Sequence, residues 1–310
     1  MRKLVFLFLL ATLTTTAIAQ QNKMLGRWDL TVKSADKEYP SWLELVDKGG
    51  KLTANFVGRW GNARPLPKVE INGAKLTFTS PKDEEGGKKD MTYEGTLSGD
   101  TLSGVVNSPD DDSTWHWTAQ RAPALKESTS PKWGKPVELF DGKDLTGWKM
   151  TDPNAKSVWK VENGILISPG NGPELINDQK FRDFKLHVEF NRGETANSGV
   201  YLRGRYEVQI ENESVEEPPS HHTGGVYGFI APEPEQPRIS GKWETFDITL
   251  VGRTITVVQN GKTIIDRKEI PGITGGALDS HEGEPGPIYL QGSEKGHISF
   301  RKITLTPAEN

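Results

Sequence analysis

Three sets of residues have the types and spacing to do chemistry. Short alternating segments carry carboxylates, amides, Arg and Tyr at every second position: Glu189 with Lys185 and His187, Glu207 with Gln209, Tyr201 with Arg203, and Tyr289 with Gln291. In a strand such positions share one face, while Phe184, Leu186, Val188 and Phe190, or Val208 and Ile210, share the other. On adjacent strands Glu189 and Glu207 would approach the roughly 5–10 Å that two carboxyls need to act as acid and base or nucleophile on a glycosidic bond. The Glu-x-Asp-x-x-Glu spacing that places such groups on a single strand does not occur. The second set is His221-His222. Neighbours on an extended strand point opposite ways, so the pair reads as one histidine making contacts and one exposed, not as a metal site. The third, Asp141-Gly142-Lys143-Asp144, has oxygen ligands but is too short for a calcium cage and reads as a β-turn.

Other chemistries are excluded by what is missing. The chain has no cysteine, which removes disulfides, thiol nucleophiles and Cys-ligated metal centres. It contains no Gly-x-Ser-x-Gly elbow, no His-Glu-x-x-His and no glycine-rich phosphate loop. With 38 Lys plus Arg against 42 Asp plus Glu, the net charge of −4 is not that of a nucleic-acid-binding protein. No motif indicates an organic cofactor, and a structural or catalytic divalent metal stays open.

The elements that must position these residues are strands. Asn72-Gly73, Asn163-Gly164 and Asn260-Gly261 each stand between alternating apolar runs, and Ser98-Gly99-Asp100 forms a weaker fourth junction. Asn-Gly accepts the two positive φ values of a type I′ hairpin turn. No amphipathic helix of ten or more residues is evident, so the chain reads as all-β. A Pro/Ser/Thr segment at 123–135 reads as a linker between two domains. Residues 20–122, with Trp28, Trp42, Trp60, Trp115 and Trp117, suit a small closed barrel of seven or eight strands, and Leu25-Gly26-Arg27-Trp28 resembles the opening strand of lipocalin-like barrels. Residues 136–310 suit a jelly-roll β-sandwich, with 211–223 and 272–287 as long loops able to rim a cleft.

The first nineteen residues differ from the rest. Arg2 and Lys3 precede an apolar run from Leu4 to Leu13, and Ala17-Ile18-Ala19 stands before Gln20. This is the tripartite pattern of a signal peptide, and its apolar run is short for a bilayer span. The reading is a periplasmic or secreted protein that does not span the membrane.

The C-terminal motifs resemble a known family. In order they are Phe140-Asp141-Gly142-Lys143-Asp144-Leu145-Thr146-Gly147-Trp148, Trp159 to Gly164, Asn197-Ser198-Gly199-Val200-Tyr201-Leu202-Arg203, Tyr206 to Ile210, Gly286 to Gly292 and Phe300 to Ile303. Together they are similar to the 3-keto-disaccharide hydrolases, also described as 3-keto-glucoside 1,2-lyases and 3-keto-2-hydroxyglucal hydratases, over about residues 136–307. The pattern departs from many relatives where Ser293 to Gly296 intervene before His297. The resemblance implies a concanavalin A/laminin-G-like jelly roll acting on a 3-keto sugar made by an upstream oxidoreductase. The C3 ketone acidifies the C2 proton; a base removes it, the C1 aglycone leaves, and water adds to the enone. On that chemistry Glu207 is expected as the base, Arg203 as enolate stabiliser, and His221 or Tyr227 as the acid. Glu189, Gln209, Gln291 and Asn197 are expected to bind substrate. A non-catalytic carbohydrate-binding protein and a structural envelope component remain the alternatives.

Overall fold

The computed structural model describes residues 22–125, 131–211, 216–237, 239–293 and 295–309. The segment read as a signal peptide lies outside these, as do 126–130 of the linker and 212–215 of the first long loop. The chain divides into two compact units, one built on residues up to Ala122 and the other beginning at Pro123. The longest helix among the described residues has four, Lys82–Glu85. No described helix is long and apolar enough to cross a membrane.

The first unit is a nine-stranded up-and-down sheet: β1 (Gly26–Lys33), β2 (Glu38–Asp47), β3 (Leu52–Val57), β4 (Arg64–Pro65), β5 (Lys68–Asn72), β6 (Lys75–Ser80), β7 (Met91–Ser98), β8 (Thr101–Asn107) and β9 (Thr114–Arg121). Pairing of β1 with both β2 and β9 curls it into a lipocalin-like barrel. Closure is incomplete, in contrast to the expectation. The path ends at β4 and β5, which do not pair with each other. Pro65 and Pro67 flank this seam, and proline has no N–H to donate across it. Alternation fills the interior: Trp28, Leu30, Leu43, Phe56, Phe78, Tyr93 and Trp117 are all buried. Phe78 stacks on Tyr93 with centroids 4.5 Å apart. Arg121 lies 4.1 Å over the Trp28 ring and donates to the Leu25 carbonyl, tying the last strand to the first.

Burial pushes the Tyr39 phenol of this unit up to about 12. An unfolded chain releases that proton near pH 10, so the resulting stabilisation is complete below that value and is lost as pH climbs through about 12. Ultraviolet titration followed together with circular dichroism should show this phenol ionising only as the unit unfolds. A phenol titrating near its ordinary value in a native barrel would contradict this.

The second unit has fourteen strands: β10 (Lys132–Trp133), β11 (Val137–Phe140), β12 (Trp148–Met150), β13 (Lys160–Glu162), β14 (Ile165–Ser168), β15 (Leu175–Asn177), β16 (Phe184–Arg192), β17 (Asn197–Leu202), β18 (Tyr206–Glu211), β19 (Trp243–Val251), β20 (Thr254–Gln259), β21 (Lys262–Glu269), β22 (Tyr289–Leu290) and β23 (Ile298–Glu309). They form a larger sheet ordered β13-β14-β23-β16-β19-β20-β21, with β10 and β11 also on β23, and a five-stranded sheet ordered β12-β15-β22-β17-β18. This is a jelly-roll β-sandwich. Phe184, Leu186, Val188 and Phe190 of one sheet and Val200, Leu202, Val208, Ile210 and Leu290 of the other are buried.

The hairpin turns follow from local chemistry. Asn163 and Gly164 take φ of 52° and 79°, and Asn260 and Gly261 take 51° and 79°, as a type I′ turn demands. The first expected turn is shifted by one residue. Asn72 stays in β5, paired with Lys75, and Gly73 supplies the positive φ of 62°.

Candidate functional site

The five-stranded sheet positions the cluster. Arg203 and Gly204 take left-handed conformations with φ of 53° and 68°. They reverse the chain so that β17 and β18 pair with Tyr201 opposite Glu207 and Gly199 opposite Gln209. Period-two alternation sends Tyr206, Val208 and Ile210 into the core and Glu207 and Gln209 to the other face. That face is not open to solvent: Glu207 is 4% exposed and Gln209 2%. Two loops cover the outer edge of β18. Tyr227 N–H donates to the Glu207 carbonyl at 3.1 Å, Gln209 N–H to Gly225 at 3.0 Å, and Thr274 N–H to Arg205 at 3.0 Å. The unpaired edge that the sheet would otherwise expose is thereby satisfied.

The Glu207 carboxyl lies between two close neighbours. Its Oε2 is 2.9 Å from Tyr201 Oη, which is also 2.8 Å from the Gly275 carbonyl oxygen. Its Oε1 lies over Gly199, where a Cβ would stand only 2.2 Å away. A Cβ on Gly276 would likewise meet the Tyr201 hydroxyl at 2.5 Å, so small residues bound the pocket on both sides. Burial, together with the neighbouring carboxyl of Glu207, pushes the Tyr201 phenol well above its ordinary value, so it stays protonated. Its ring stacks on Tyr289 at 4.2 Å.

His221 enters from the covering segment. A 3-10 turn, Pro219–His221, coils the chain there, so the two histidines do not alternate as an extended strand would make them. Both are buried, which corrects the expectation of one exposed ring. His221 Nδ1 is 3.2 Å from Glu217 Oε2, and its ring stacks on Tyr227 at 4.4 Å. His221 Nε2 is buried without a hydrogen-bond partner among the described residues. His222 Nδ1 lies 3.0 Å from Glu235 Oε1, and its Nε2 reaches the Glu217 carbonyl.

Tyr227 thus touches both other residues, Glu207 through its backbone N–H and His221 through its ring, with Gln209 on the strand that carries Glu207 and Gln291 beside Gly199. Gln291 N–H donates to the Gly199 carbonyl at 3.0 Å, and its buried Oε1 has no partner among the described residues. Gln209 Nε2 is engaged by Glu211 at 3.0 Å. Asn197 pairs with Glu211 at the far end of the hairpin.

Two expected residues lie elsewhere. Glu189 is on β16 of the other sheet, whose strand neighbours are β19 and β23, not β18. It points away from the core and pairs with Arg301 and His187. Against the desolvation that would raise it, those partners hold its carboxyl below the ordinary value. Arg203 occupies the turn with its guanidinium 5.1 Å over Tyr206, on the face opposite Glu207, and donates to the Gly252 carbonyl. It belongs to a buried group in which Tyr206 Oη donates to Glu282 at 2.7 Å and Arg253 also binds that carboxylate. Asp141 and Asp144 cap their own turns by accepting from the N–H groups of Lys143 and Thr146.

Sequence reasoning placed Tyr201 on the polar face without pairing it with Glu207, and gave no role to Gly199 or Glu217; the 272–287 loop, expected to rim a cleft, supplies the Gly275 carbonyl that accepts from Tyr201. A signal for the Tyr201–Glu207 pairing was present: treating Arg203-Gly204-Arg205 as a hairpin turn places Tyr201 opposite Glu207.

Residues 135–306 match the family described as the 3-keto-alpha-glucoside-1,2-lyase-like domain. A curated relative, the 3-keto-disaccharide hydrolase of Bacteroides thetaiotaomicron, is 20% identical over 167 residues, covering 42% of this chain and 57% of that protein. The chain thus spans little more than half of that relative's length. Among solved structures, a candidate glycosyl hydrolase of Parabacteroides distasonis is 26% identical, with a TM-score of 0.48, over 60% of this chain and 96% of that one. A second from the same organism is 18% identical, with a TM-score of 0.46, over 56% and 94%.

Proposed function

We propose, from the premise that the chain belongs to the 3-keto-alpha-glucoside-1,2-lyase-like domain family, that it is an enzyme cleaving 3-keto-glycosides or 3-keto-disaccharides. The reaction we propose is removal of the C2 proton, loss of the C1 aglycone and addition of water, which together amount to hydrolysis. The observation that carries this reading is the buried pairing of Glu207 with Tyr201, adjoining His221 through Tyr227. Elimination needs one group to accept the C2 proton and another to protonate the leaving oxygen, and proton transfer by positioned side chains is worth about 10²–10⁴ in rate. Glu207 and His221 supply that pair. Gln291 and Gln209 line the same face and supply amides for sugar hydroxyls.

The proposal includes export directed by residues 1–19, an upstream oxidoreductase that makes the ketone, and an accessory role for the barrel. The test is incubation with 3-keto-trehalose or another 3-keto-glucoside in deuterated water, beside the unoxidised parent. Sugar should be released only from the oxidised substrate, with transient enone absorbance and deuterium at C2 of the product. Tight binding without release would support a carbohydrate-binding protein. Release from the unoxidised parent, with no deuterium at C2, would support direct displacement at C1.

A further inference from the structure

We infer that one end of the barrel is a carbohydrate-binding site, where Trp60 stacks on a neutral pyranose ring and Arg59 and Asn62 bind its hydroxyls; this requires nothing of the elimination chemistry. Strand pairing defines that end. Connections 34–37, 58–63, 81–90 and 108–113 meet there, because Lys33 pairs with both Glu38 and His116, Phe56 with Arg64, Ser80 with Met91, and Asn107 with Thr114. Turns 48–51, 73–74 and 99–100 lie at the other end. Every connection of six residues or more within the barrel therefore shares one end. Ligand-binding groups concentrate in such loops when a rigid scaffold carries them, and barrel mouths are common sites.

These loops are fastened to one another. Arg64 and Ser80 both donate to the Glu85 carboxyl group, whose side chain is 3% exposed. The same carboxyl packs on the backbone of Gly58, so both ends of 58–63 are pinned to 81–90. The Lys88 and Lys89 N–H groups donate to the Pro109 carbonyl at 2.9 and 3.1 Å, which ties 81–90 to 108–113. Phe56, Phe78, Tyr93 and Trp117 fill the interior. A ligand at this end lies across it, not inside the barrel.

Trp60 differs from the other tryptophans of the barrel. Trp28, Trp42 and Trp117 are buried and Trp115 is half-buried, whereas Trp60 is 54% exposed. Its ring is nevertheless held. The Arg59 guanidinium lies 4.6 Å over the Trp60 ring and 5.8 Å over that of Tyr39, and Tyr39 meets Trp115 edge-on at 6.3 Å. The cation covers one face of the indole and leaves the other to solvent. Gly61, with φ of 81°, turns the chain immediately after it. An aromatic ring fixed in place before a ligand arrives loses little freedom on binding.

The chemistry of this end selects the ligand. A pyranose presents C–H bonds on its faces and hydroxyls around its rim. Its face matches one open indole face, and its rim needs amides, guanidinium and carboxylates. Arg59 and Asn62 flank Trp60 in the same loop. The four connections hold eight Asp and Glu against five Lys and Arg. That balance disfavours phosphate backbones and anionic membranes and suits a neutral sugar chain. The family matched by the second unit is named for a glucoside, the same class of ligand.

Native gel electrophoresis of the full chain tests this, with mixed-linkage β-glucan, soluble starch, galactomannan or xylan cast into separate gels. At least one of these should retard the unaltered protein. Trp60→Ala should raise the polysaccharide concentration needed for the same retardation by about ten-fold or more, and Trp60→Phe, which keeps a smaller ring, by less. Because Trp60 is exposed, both variants should keep native circular dichroism and Tm. Retardation by none of the four would overturn the inference. So would retardation unchanged in Trp60→Ala, which would assign glycan binding to the second unit. Sedimentation with phosphatidylcholine vesicles that is lost in Trp60→Ala, while no glycan retards the protein, would make this end a membrane contact and overturn the inference as well.

Discussion

Replacing Arg192 by Met is expected to cost about 3–5 kcal/mol of stability, because it strands a buried carboxylate. Arg192 and Glu244 are each 1% exposed and stand 3.2 Å apart on β16 and β19. Glu244 also accepts from Gln259 at 2.9 Å, and Arg192 also donates to the Glu211 carbonyl and to Thr223. The arginine thus ties the larger sheet to the end of β18 and to the residue following His222. For a unit of this size, each kcal/mol corresponds to about 2–4 °C in Tm, so a fall of about 6–20 °C should appear in calorimetry. Converting the pair together, Arg192→Met with Glu244→Leu, should recover much of the loss, since an apolar pair of similar volume often replaces a buried ion pair without net cost. A single variant within about 1 kcal/mol of the unaltered protein would show that the pair contributes little.

The second large effect is expected at a residue with no functional group. Gly199→Ala puts a methyl 2.2 Å from Glu207 Oε1 and 2.8 Å from its Cγ. Gly199 is mid-strand and outside the left-handed region, so alanine suits its backbone and the contact falls on the carboxyl side chain. Glu207 must rotate or shift, its hydrogen bond to Tyr201 must lengthen, and a displacement of about 1 Å at a catalytic group can cost on the order of 10² in rate. The expected result is a fall of about that size in kcat on a 3-keto-disaccharide, with native circular dichroism and little change in KM. Unchanged kcat would mean that the position of Glu207 does not matter to the chemistry.

Much of the architecture is decided within short windows of sequence. Asn163-Gly164 and Asn260-Gly261 turn as they do because Asn and Gly tolerate positive φ, whatever surrounds them. The alternation in Phe184 to Phe190 and in Tyr206 to Ile210 sets which side chains enter the core, since strand period is a property of the backbone. Family membership likewise rests on ordered motifs along the chain.

Strand adjacency was not legible, because it depends on contacts far apart in sequence. β16 and β17 are neighbours along the chain, yet Gly193 to Ala196 carry it from one sheet to the other, and Glu189 ends on the outer face of β16, away from Glu207. The site itself depended on tertiary structure in the same way. Alternation marks Glu207 as pointing away from the core, but only the folding of 219–230 and 274–276 over β18 buries it, coils both histidines inward and seats Gly275 against Tyr201. Local sequence decides which face a side chain takes; the loops that pack on that face decide whether its carboxyl meets water or a phenol.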